Sequence, residues 1–201
     1  MLPTERFARE KLRSVTLATG TKLVRIFKDQ FPDPLGYGLV KSRFSHPRPK
    51  LKSAFGVVYF GESLKVCFVE AIIRARFDGQ LVNRMLKESE LYTWSVATVE
   101  VSSGTALKLL ELRGDGLILN GIPSDAARAS SHKLGQAWSK AIHGHPEQFA
   151  GISYSSRFNE EGCFAIYDRA LGALKVADIS PLWLHPSFAD TLDELEIGIE
   201  P

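Results

Sequence analysis

A short apolar run followed at once by an amphipathic helix is the feature that most limits how this chain can fold. Gly56–Phe60 is almost entirely apolar, which is typical of a strand buried on both faces. Ser63 is a suitable N-cap, and apolar residues then recur at helical spacing until Gly79 ends the segment. Their positions are Leu64, Cys67, Phe68, Ala71, Ile72 and Ala75. Such a strand and helix require a sizeable core, and a chain of 201 residues can supply one as a single domain, or as two small ones at most.

The other periodic segments are mostly strands, with helices inserted irregularly between them. Strands are predicted at Lys22–Phe27, Thr93–Val101, Ala106–Leu112, Gly151–Tyr154, Cys163–Tyr167 and Leu174–Ile179. Helices are predicted at Leu81–Lys87 and His132–His143. We expect the proline-rich stretch Phe31–Pro49 to be an irregular loop, and the acidic end Asp190–Glu200 to be a surface or disordered tail. The pattern favours the α+β class, with a compact mixed β-sheet core.

Charge and cysteine content exclude several classes of protein. The 25 Lys and Arg residues against 23 Asp and Glu leave a net charge of +2, too small to indicate nucleic-acid or membrane binding. Cys67 and Cys163 lie far apart in apolar surroundings, which favours core thiols in a reducing, cytoplasmic setting. We expect no signal peptide and no membrane helix. His143 and His145 lack further ligands at metal-binding spacing, so we expect no metal site.

Glu70 is the first candidate for chemistry. It is a carboxylate among mainly apolar neighbours on the helix after the buried strand, which indicates either an ion pair or a functional group. A surface pair with Arg74, four residues on, is the simpler interpretation. Tyr59 at the end of the strand offers a second one, because a strand-loop-helix unit can bring its ring and the carboxylate to one cleft.

Two arginines and a serine-rich segment are the other candidates. Arg43 follows the proline-rich loop between serines, and its planar guanidinium suits phosphate binding. Arg25 interrupts an apolar strand, where a solvent-facing arginine is the alternative. The stretch Gly151–Arg157 runs from a strand into Ser155 and Ser156, and serines that cap a turn would explain it equally well.

Together these pieces resemble the RES domain, a family named for its Arg, Glu and Ser. In chain order they are Arg25, Arg43-Phe44-Ser45, Val57-Val58-Tyr59-Phe60, Glu70, Gly151-Ile152-Ser153-Tyr154-Ser155-Ser156-Arg157 and Cys163-Phe164-Ala165. The resemblance extends from about Leu23 to Ile179. Two departures stand out: the loop between Arg43 and Tyr59 lacks a Gly-rich, Trp-containing stretch, and Ile26 replaces an aromatic residue beside the first arginine.

The resemblance implies an ADP-ribosyltransferase-like fold over 1–201 and a protein that consumes NAD as a toxin of a bacterial toxin-antitoxin pair. Glu70 would stabilise the cationic ribose and Tyr59 would pack on nicotinamide. Arg25 and Arg43 would bind the pyrophosphate or its ribose. Ser156, with Ser155 as second choice, would position ribose or nicotinamide.

The resemblance leaves the acceptor of ADP-ribose open between a protein target, inorganic phosphate and water. It also implies a cognate antitoxin encoded nearby. The alternatives are a non-catalytic interaction module, in which Glu70 and Arg74 form a surface pair, and a nucleotide hydrolase, for which a carboxylate cluster that binds Mg²⁺ is missing from the sequence.

Overall fold

An eight-stranded mixed sheet organises the computed structural model, which describes residues 1–201. The strands are β1 Ser14–Leu17, β2 Lys22–Lys28, β3 Val57–Gly61, β4 Met85–Lys87, β5 Trp94–Val101, β6 Leu107–Glu111, β7 Gly151–Ser155, β8 Gly162–Tyr167, β9 Leu174–Pro181 and β10 Gly198–Glu200. The order in the large sheet is β1-β6-β7-β8-β3-β2-β5-β9, and β4 pairs with β10 in a separate two-stranded sheet. Within the large sheet only β6 and β7 run parallel, so the predicted mixed sheet of the α+β class is confirmed.

The helices are short and lie between strands without a regular alternation. They are α1 Leu64–Phe68, α2 Arg74–Phe77, α3 Glu88–Leu91, α4 Gly116–Leu119, α5 Asp125–Arg128, α6 Lys133–His143 and α7 Phe188–Glu194. Short 3₁₀ segments occur at Phe7–Arg9, Asp168–Ala173 and Leu182–Leu184. None of these helices combines the length and the apolar character needed to cross a bilayer.

Strand β3 lies in the middle of the sheet and separates two apolar clusters. Val58 and Phe60 belong to the smaller cluster, whereas Val57 and Tyr59 pack against the larger one. Because successive side chains of a strand point to opposite faces, this arrangement covers β3 on both sides. The interpretation of Gly56–Phe60 as a doubly buried strand is therefore confirmed.

The predicted amphipathic helix is present, with an unexpected π-helical turn inside it. The hydroxyl of Ser63 accepts a 3.1 Å hydrogen bond from the backbone N–H of Val66, as expected for an N-cap. Between α1 and α2, Val69–Ile73 forms the π-helical turn. Such turns inside α-helices often occur at functional sites, and this one carries Glu70.

The predictions for two segments are wrong, and in the structure these two segments pair with each other through one short strand in each. Leu81–Lys87 is not helical: Asn83 has a φ of 61°, and the segment ends in strand β4. Asp190–Glu200 is neither disordered nor a mere surface tail, because Leu192 and Ile197 are buried and the segment ends in β10, parallel to β4. Local sequence patterns cannot predict this pairing, because the two strands lie far apart in the sequence and come together only in the folded protein.

The two histidines near the end of α6 serve the packing of the protein. His145 is buried, with Nε2 3.2 Å from the carbonyl oxygen of Phe7 and Nδ1 accepting from the N–H of Glu147. His143 stacks on Phe55 at 4.2 Å between ring centroids.

Candidate functional site

A cleft of about 230 Å³ lies where β3, the π turn and the end of β7 meet. Five of the six sequence-predicted site residues line it: Arg25, Arg43, Tyr59, Glu70 and Ser155. The sixth, Ser156, is buried beside the cleft and contacts Glu70. The structure thus brings together residues that span most of the chain.

Glu70 is held from two sides. The hydroxyl of Ser156 donates a 2.8 Å hydrogen bond to Oε1, and Nη1 of Arg74 lies 3.1 Å from Oε2. The ion pair with Arg74 that the sequence predicts is therefore present, but Arg74 binds only one carboxylate oxygen, and Ser156 binds the other. The carboxylate side chain keeps 23% of its surface exposed, so it can still reach a ligand in the cleft.

The hydroxyl of Tyr59 is fully engaged by the protein. It shares a 2.8 Å hydrogen bond with the Ser42 hydroxyl and accepts a 2.9 Å bond from the backbone N–H of Phe44. Burial raises the pKa of this phenol. Tyr59 consequently holds the residues on both sides of Arg43, Ser42 through its side chain and Phe44 through its backbone, while its ring forms part of the cleft wall.

Arg43 is half-buried and already bound to the protein. Its Nη1 donates a 2.6 Å hydrogen bond to the carbonyl oxygen of Ala129, just after α5. Burial lowers the pKa of the guanidinium, and the nearby charges of Arg157 and Arg74 lower it further, whereas Tyr154 and Glu70 raise it. Helix α6 approaches the same loop closely: a Cβ on Gly135 would lie 2.7 Å from the carbonyl oxygen of Arg43.

Arg25 orders the proline-rich loop. Its Nη1 donates to the carbonyl oxygens of Pro34 and Gly36, the latter at 3.0 Å. Burial lowers the pKa of this guanidinium as well. The alternative of a solvent-facing arginine is wrong, because Arg25 is partly buried at the cleft and ties an irregular loop to β2.

The cleft changes character from floor to mouth. Its buried lining residues are all uncharged: Ile26, Phe60, Gly61, Val66, Cys67, Ala127, Tyr154 and Cys163. The more exposed lining residues include the cations Arg25, Arg43, Arg74 and Arg157, together with His132. Arg157 is offset by Asp78, 3.3 Å away. An anionic ligand with one flat, neutral end suits this distribution.

Sequence reasoning missed His132 and Tyr154 as lining residues and treated Arg74 as a surface partner. Burial, together with Arg43, Arg74 and Arg157, lowers the pKa of His132, so the imidazole is neutral near pH 7. Its position just before α6 carries no recognisable local signal. The sequence also does not show that several arginines surround the carboxylate of Glu70, because these residues come together only in the folded protein.

Both cysteines line the floor, and neither is activated. Burial raises the pKa of Cys67 far above its ordinary value and that of Cys163 to about 12. Both thiols are free. Their interpretation as core residues rather than nucleophiles agrees with this geometry.

Comparison with known proteins identifies the family. The family model for the RES domain matches residues 22–185, and the chain therefore belongs to the RES domain family. The chain is also similar to "Probable toxin y4kH" of Sinorhizobium fredii (strain NBRC 101917 / NGR234), with 43% identity over 112 residues. That match covers 55% of this chain and 87% of the relative.

Proposed function

We propose that this protein is the toxin of a bacterial toxin-antitoxin pair. It would cleave NAD between nicotinamide and ribose and transfer ADP-ribose to an acceptor, with residues 1–201 acting as one ADP-ribosyltransferase-like domain. The observation that carries the proposal is the fixed carboxylate: Glu70 is bound by Ser156 at 2.8 Å in a cleft with a neutral floor and a cationic mouth. Family membership and the relative named as a probable toxin support it.

The reaction needs a negative charge that is in place before the bond breaks. As the bond from ribose C1′ to the ring nitrogen of nicotinamide lengthens, its electron pair moves to the ring and the ribose becomes oxocarbenium-like. Glu70 would accept hydrogen bonds from the ribose hydroxyls and stabilise the cation. Nicotinamide leaves as the neutral base, and a nucleophilic atom of the acceptor forms the new bond to C1′. Water or a protein side chain gives up its proton to solvent in this step, whereas an ionised phosphate oxygen has none to lose.

The two ends of NAD would occupy different parts of the cleft. A volume of about 230 Å³ is below the ~300–1,000 Å³ of pockets that enclose a whole drug-sized ligand, so it suits one end of a dinucleotide. Nicotinamide would lie on the uncharged floor beside the ring of Tyr59. The pyrophosphate would extend past Arg43 and Arg25 at the mouth, with Ser155 close to the ribose.

Arg25 and Arg43 would each hold a loop of the protein and also bind phosphate. Arg43 and Arg25 each use one guanidinium nitrogen, Nη1, to hold a loop through backbone carbonyls. A guanidinium carries five N–H donors, so both retain donors for phosphate oxygens. Ser156 would act on the reaction through Glu70, because its hydroxyl is committed to that carboxylate.

The biological setting follows from the proposal. The acceptor is a protein target or inorganic phosphate, with water as a weaker candidate. We propose a cytoplasmic location, where NAD is available, and inhibition by a cognate antitoxin encoded nearby. No metal takes part in the proposed step, which uses only side chains of this chain.

The decisive experiment incubates the purified protein with NAD and measures free nicotinamide. We expect release by the wild type, and a fall on the order of 10²-fold for Glu70→Gln, which keeps the shape of the side chain but removes its charge. Circular dichroism must show that the variant is folded. Release by a folded Glu70→Gln at the wild-type rate would remove Glu70 from the mechanism.

The second candidate function is a non-catalytic binding module. The ion pair of Glu70 with Arg74 at 3.1 Å favours it, because the pair neutralises the carboxylate without any ligand. Absence of nicotinamide release from a folded wild-type protein, with and without inorganic phosphate, would make this the better description.

A further inference from the structure

Two tyrosines line the cleft, and only one has its hydroxyl bound by the protein. The Tyr59 hydroxyl has partners in Ser42 and Phe44. Tyr154 is only 8% exposed, yet its hydroxyl hydrogen-bonds to no oxygen or nitrogen of the protein, and its weak neighbour is the Cys163 thiol. Buried polar groups are nearly always hydrogen-bonded, so this free hydroxyl needs an explanation.

The free hydroxyl opens into the cleft. Trp94 Nε1 is the only fully enclosed side-chain nitrogen or oxygen without a partner, so the Tyr154 oxygen is not sealed inside the protein. Its ring is held edge-on against Phe44, with 5.0 Å between centroids and 66° between planes. The donor therefore has a fixed direction and remains accessible to a ligand.

Tyr154 and Glu70 line the same cleft, and the charge of Glu70 contributes to the raised pKa of the Tyr154 phenol. Ser156 follows Tyr154 by two residues, just beyond the end of β7. Ser156 in turn contacts Glu70 at 2.8 Å. A ligand that reaches Glu70 with one group can thus reach Tyr154 with another.

The surroundings of Tyr154 indicate what that second group is. The floor beside it includes Val66, Cys67 and Cys163, which belong to the same apolar cluster as Tyr154 and whose side chains offer apolar surface and thiols but no strong hydrogen-bonding group. A sugar bound there would bury several hydroxyls without hydrogen-bond partners, and each unpaired hydroxyl would cost binding free energy. A flat aromatic ring with one carbonyl brings a single strong acceptor to the floor, and one donor satisfies that acceptor; the NH₂ group of a carboxamide would find its partners among the polar residues of the cleft.

The protonation state of the phenol agrees with a donor role. Burial, reinforced by the neighbouring Cys163, Tyr59 and Glu70, raises the pKa of Tyr154 well above its ordinary value. The phenol keeps its proton throughout the physiological range. It can donate to a carbonyl oxygen without adding a second negative charge beside Glu70.

We propose that the Tyr154 hydroxyl is a ligand-binding donor that selects a neutral carbonyl on a flat ring. In the proposed reaction, on which this assignment rests, the carbonyl is that of the nicotinamide carboxamide. Tyr154 would thereby orient the leaving group and distinguish it from rings without a carbonyl.

The test compares three small ligands on two proteins, without NAD. Benzamide and acetophenone carry the carbonyl, and benzene lacks any strong acceptor. We expect NMR titration of the wild type to show tighter binding of both carbonyl ligands than of benzene. Tyr154→Phe keeps the ring against Phe44 and should weaken the carbonyl ligands about fivefold, the worth of one neutral hydrogen bond, with benzene unchanged.

Tyr167→Phe is the matched control. Its hydroxyl is bound within the core by Ser139, at 3.0 Å to the hydroxyl and 3.1 Å to the carbonyl, and it does not line the cleft. This variant should lower the melting temperature and leave the preference for carbonyl ligands intact. Equal preference in wild type and Tyr154→Phe would overturn the assignment.

The failure of the assignment can be told apart from the failure of the proposed reaction. A wild type that releases nicotinamide from NAD, combined with unchanged carbonyl binding in Tyr154→Phe, overturns the role of Tyr154 alone. A wild type that prefers carbonyl ligands through Tyr154 but releases no nicotinamide overturns the reaction and supports the donor.

Discussion

The hydroxyl of Ser156 donates a 2.8 Å hydrogen bond to Oε1 of Glu70 and so joins the end of β7 to the π turn. Ser156 is 2% exposed, which leaves its hydroxyl little freedom to choose another partner. With Arg74 on the other oxygen, the carboxylate is oriented before any ligand arrives. Such preorganisation is what electrostatic stabilisation of a developing cation requires.

Ser156→Ala should therefore slow turnover without weakening NAD binding. A hydrogen bond to a charged group contributes about 1.5–3 kcal/mol, so we expect kcat to fall by about tenfold to a hundredfold with KM nearly unchanged. Ser155→Ala, which removes a neighbouring hydroxyl that does not contact Glu70, is the control and should have the smaller effect on kcat. Steady-state nicotinamide release measures both, and a larger kcat effect at Ser155 would reverse the assignment.

Arg43→Ala should weaken NAD binding more than it slows saturated turnover, because phosphate is held alike in the ground and transition states. Arg43→Lys should recover only part of the affinity, since a point charge cannot reproduce the planar fork. Calorimetry on proteins that also carry Glu70→Gln reports affinity without turnover. Arg48→Ala removes an exposed cation of the same loop outside the cleft and should leave affinity unchanged. Equal affinity with and without Arg43 would locate the phosphates elsewhere.

Gly135→Ala should destabilise the protein and disturb the Arg43 loop. The added Cβ would lie 2.7 Å from two backbone carbonyl oxygens, those of Ala126 and Arg43, neither of which can move without shifting its segment. Overpacking of this kind costs about 1–3 kcal/mol of the free energy of unfolding. Gly144→Ala is the control, because its nearest atom is the carbonyl oxygen of Lys140 at 3.5 Å and its φ is −80°. Urea unfolding of both variants tests this prediction, and equal unfolding midpoints for Gly135→Ala and Gly144→Ala would contradict it.

Features encoded by neighbouring residues could be predicted from the sequence. The cap at Ser63, the apolar face of the helix and the doubly buried strand β3 are local patterns, and the structure confirms them. The π turn at Val69–Ile73 carries no such pattern. The pairing of β4 with β10 could not be predicted either, because neither strand has a distinctive sequence without the other.

For the candidate site, the residue types were predictable, but most of their partners were not. The sequence indicated Glu70 and both arginines, yet Arg25 and Arg43 prove to hold backbone carbonyls as well. Tyr154 stands out only when every hydrogen bond around it is known, because an unbound hydroxyl has no sequence signature. Such properties depend on contacts between distant segments.

Stability should fall in mild acid, partly through His143. Burial, reinforced by Arg169 and His46 and opposed by Asp168, lowers the pKa of His143 from 6.5 to about 4. Between these values the unfolded chain binds a proton that the folded chain does not, so the free energy of unfolding falls as the pH drops from 6.5 towards 4.

His143→Phe retains the stacking on Phe55 and should reduce that loss. Urea unfolding at about pH 7 and about pH 5 measures it. An identical loss in both proteins would exclude His143, leaving His132 and His185, whose pKa values are also lowered.

Induced expression of this chain alone should arrest the growth of bacteria, and the Glu70→Gln variant should not. The variant controls for the burden of expression, because it differs from the wild type in one charged group. Co-expression with the proposed antitoxin should restore growth by forming a complex that survives purification. Normal growth at good expression of folded wild type, together with no nicotinamide release in vitro, would favour the binding module.

The time course of cellular NAD during this arrest distinguishes the proposed acceptors. Phosphate and water are present in unlimited supply, so transfer to either continues until the NAD pool is exhausted, and we expect a steep fall before growth stops. A macromolecular target is finite, so few turnovers modify all of it and NAD remains near its normal level. Measurement of NAD, free nicotinamide and ADP-ribosylated protein in the same samples separates the two outcomes. If NAD falls equally with Glu70→Gln, the loss does not come from the cleft of this protein.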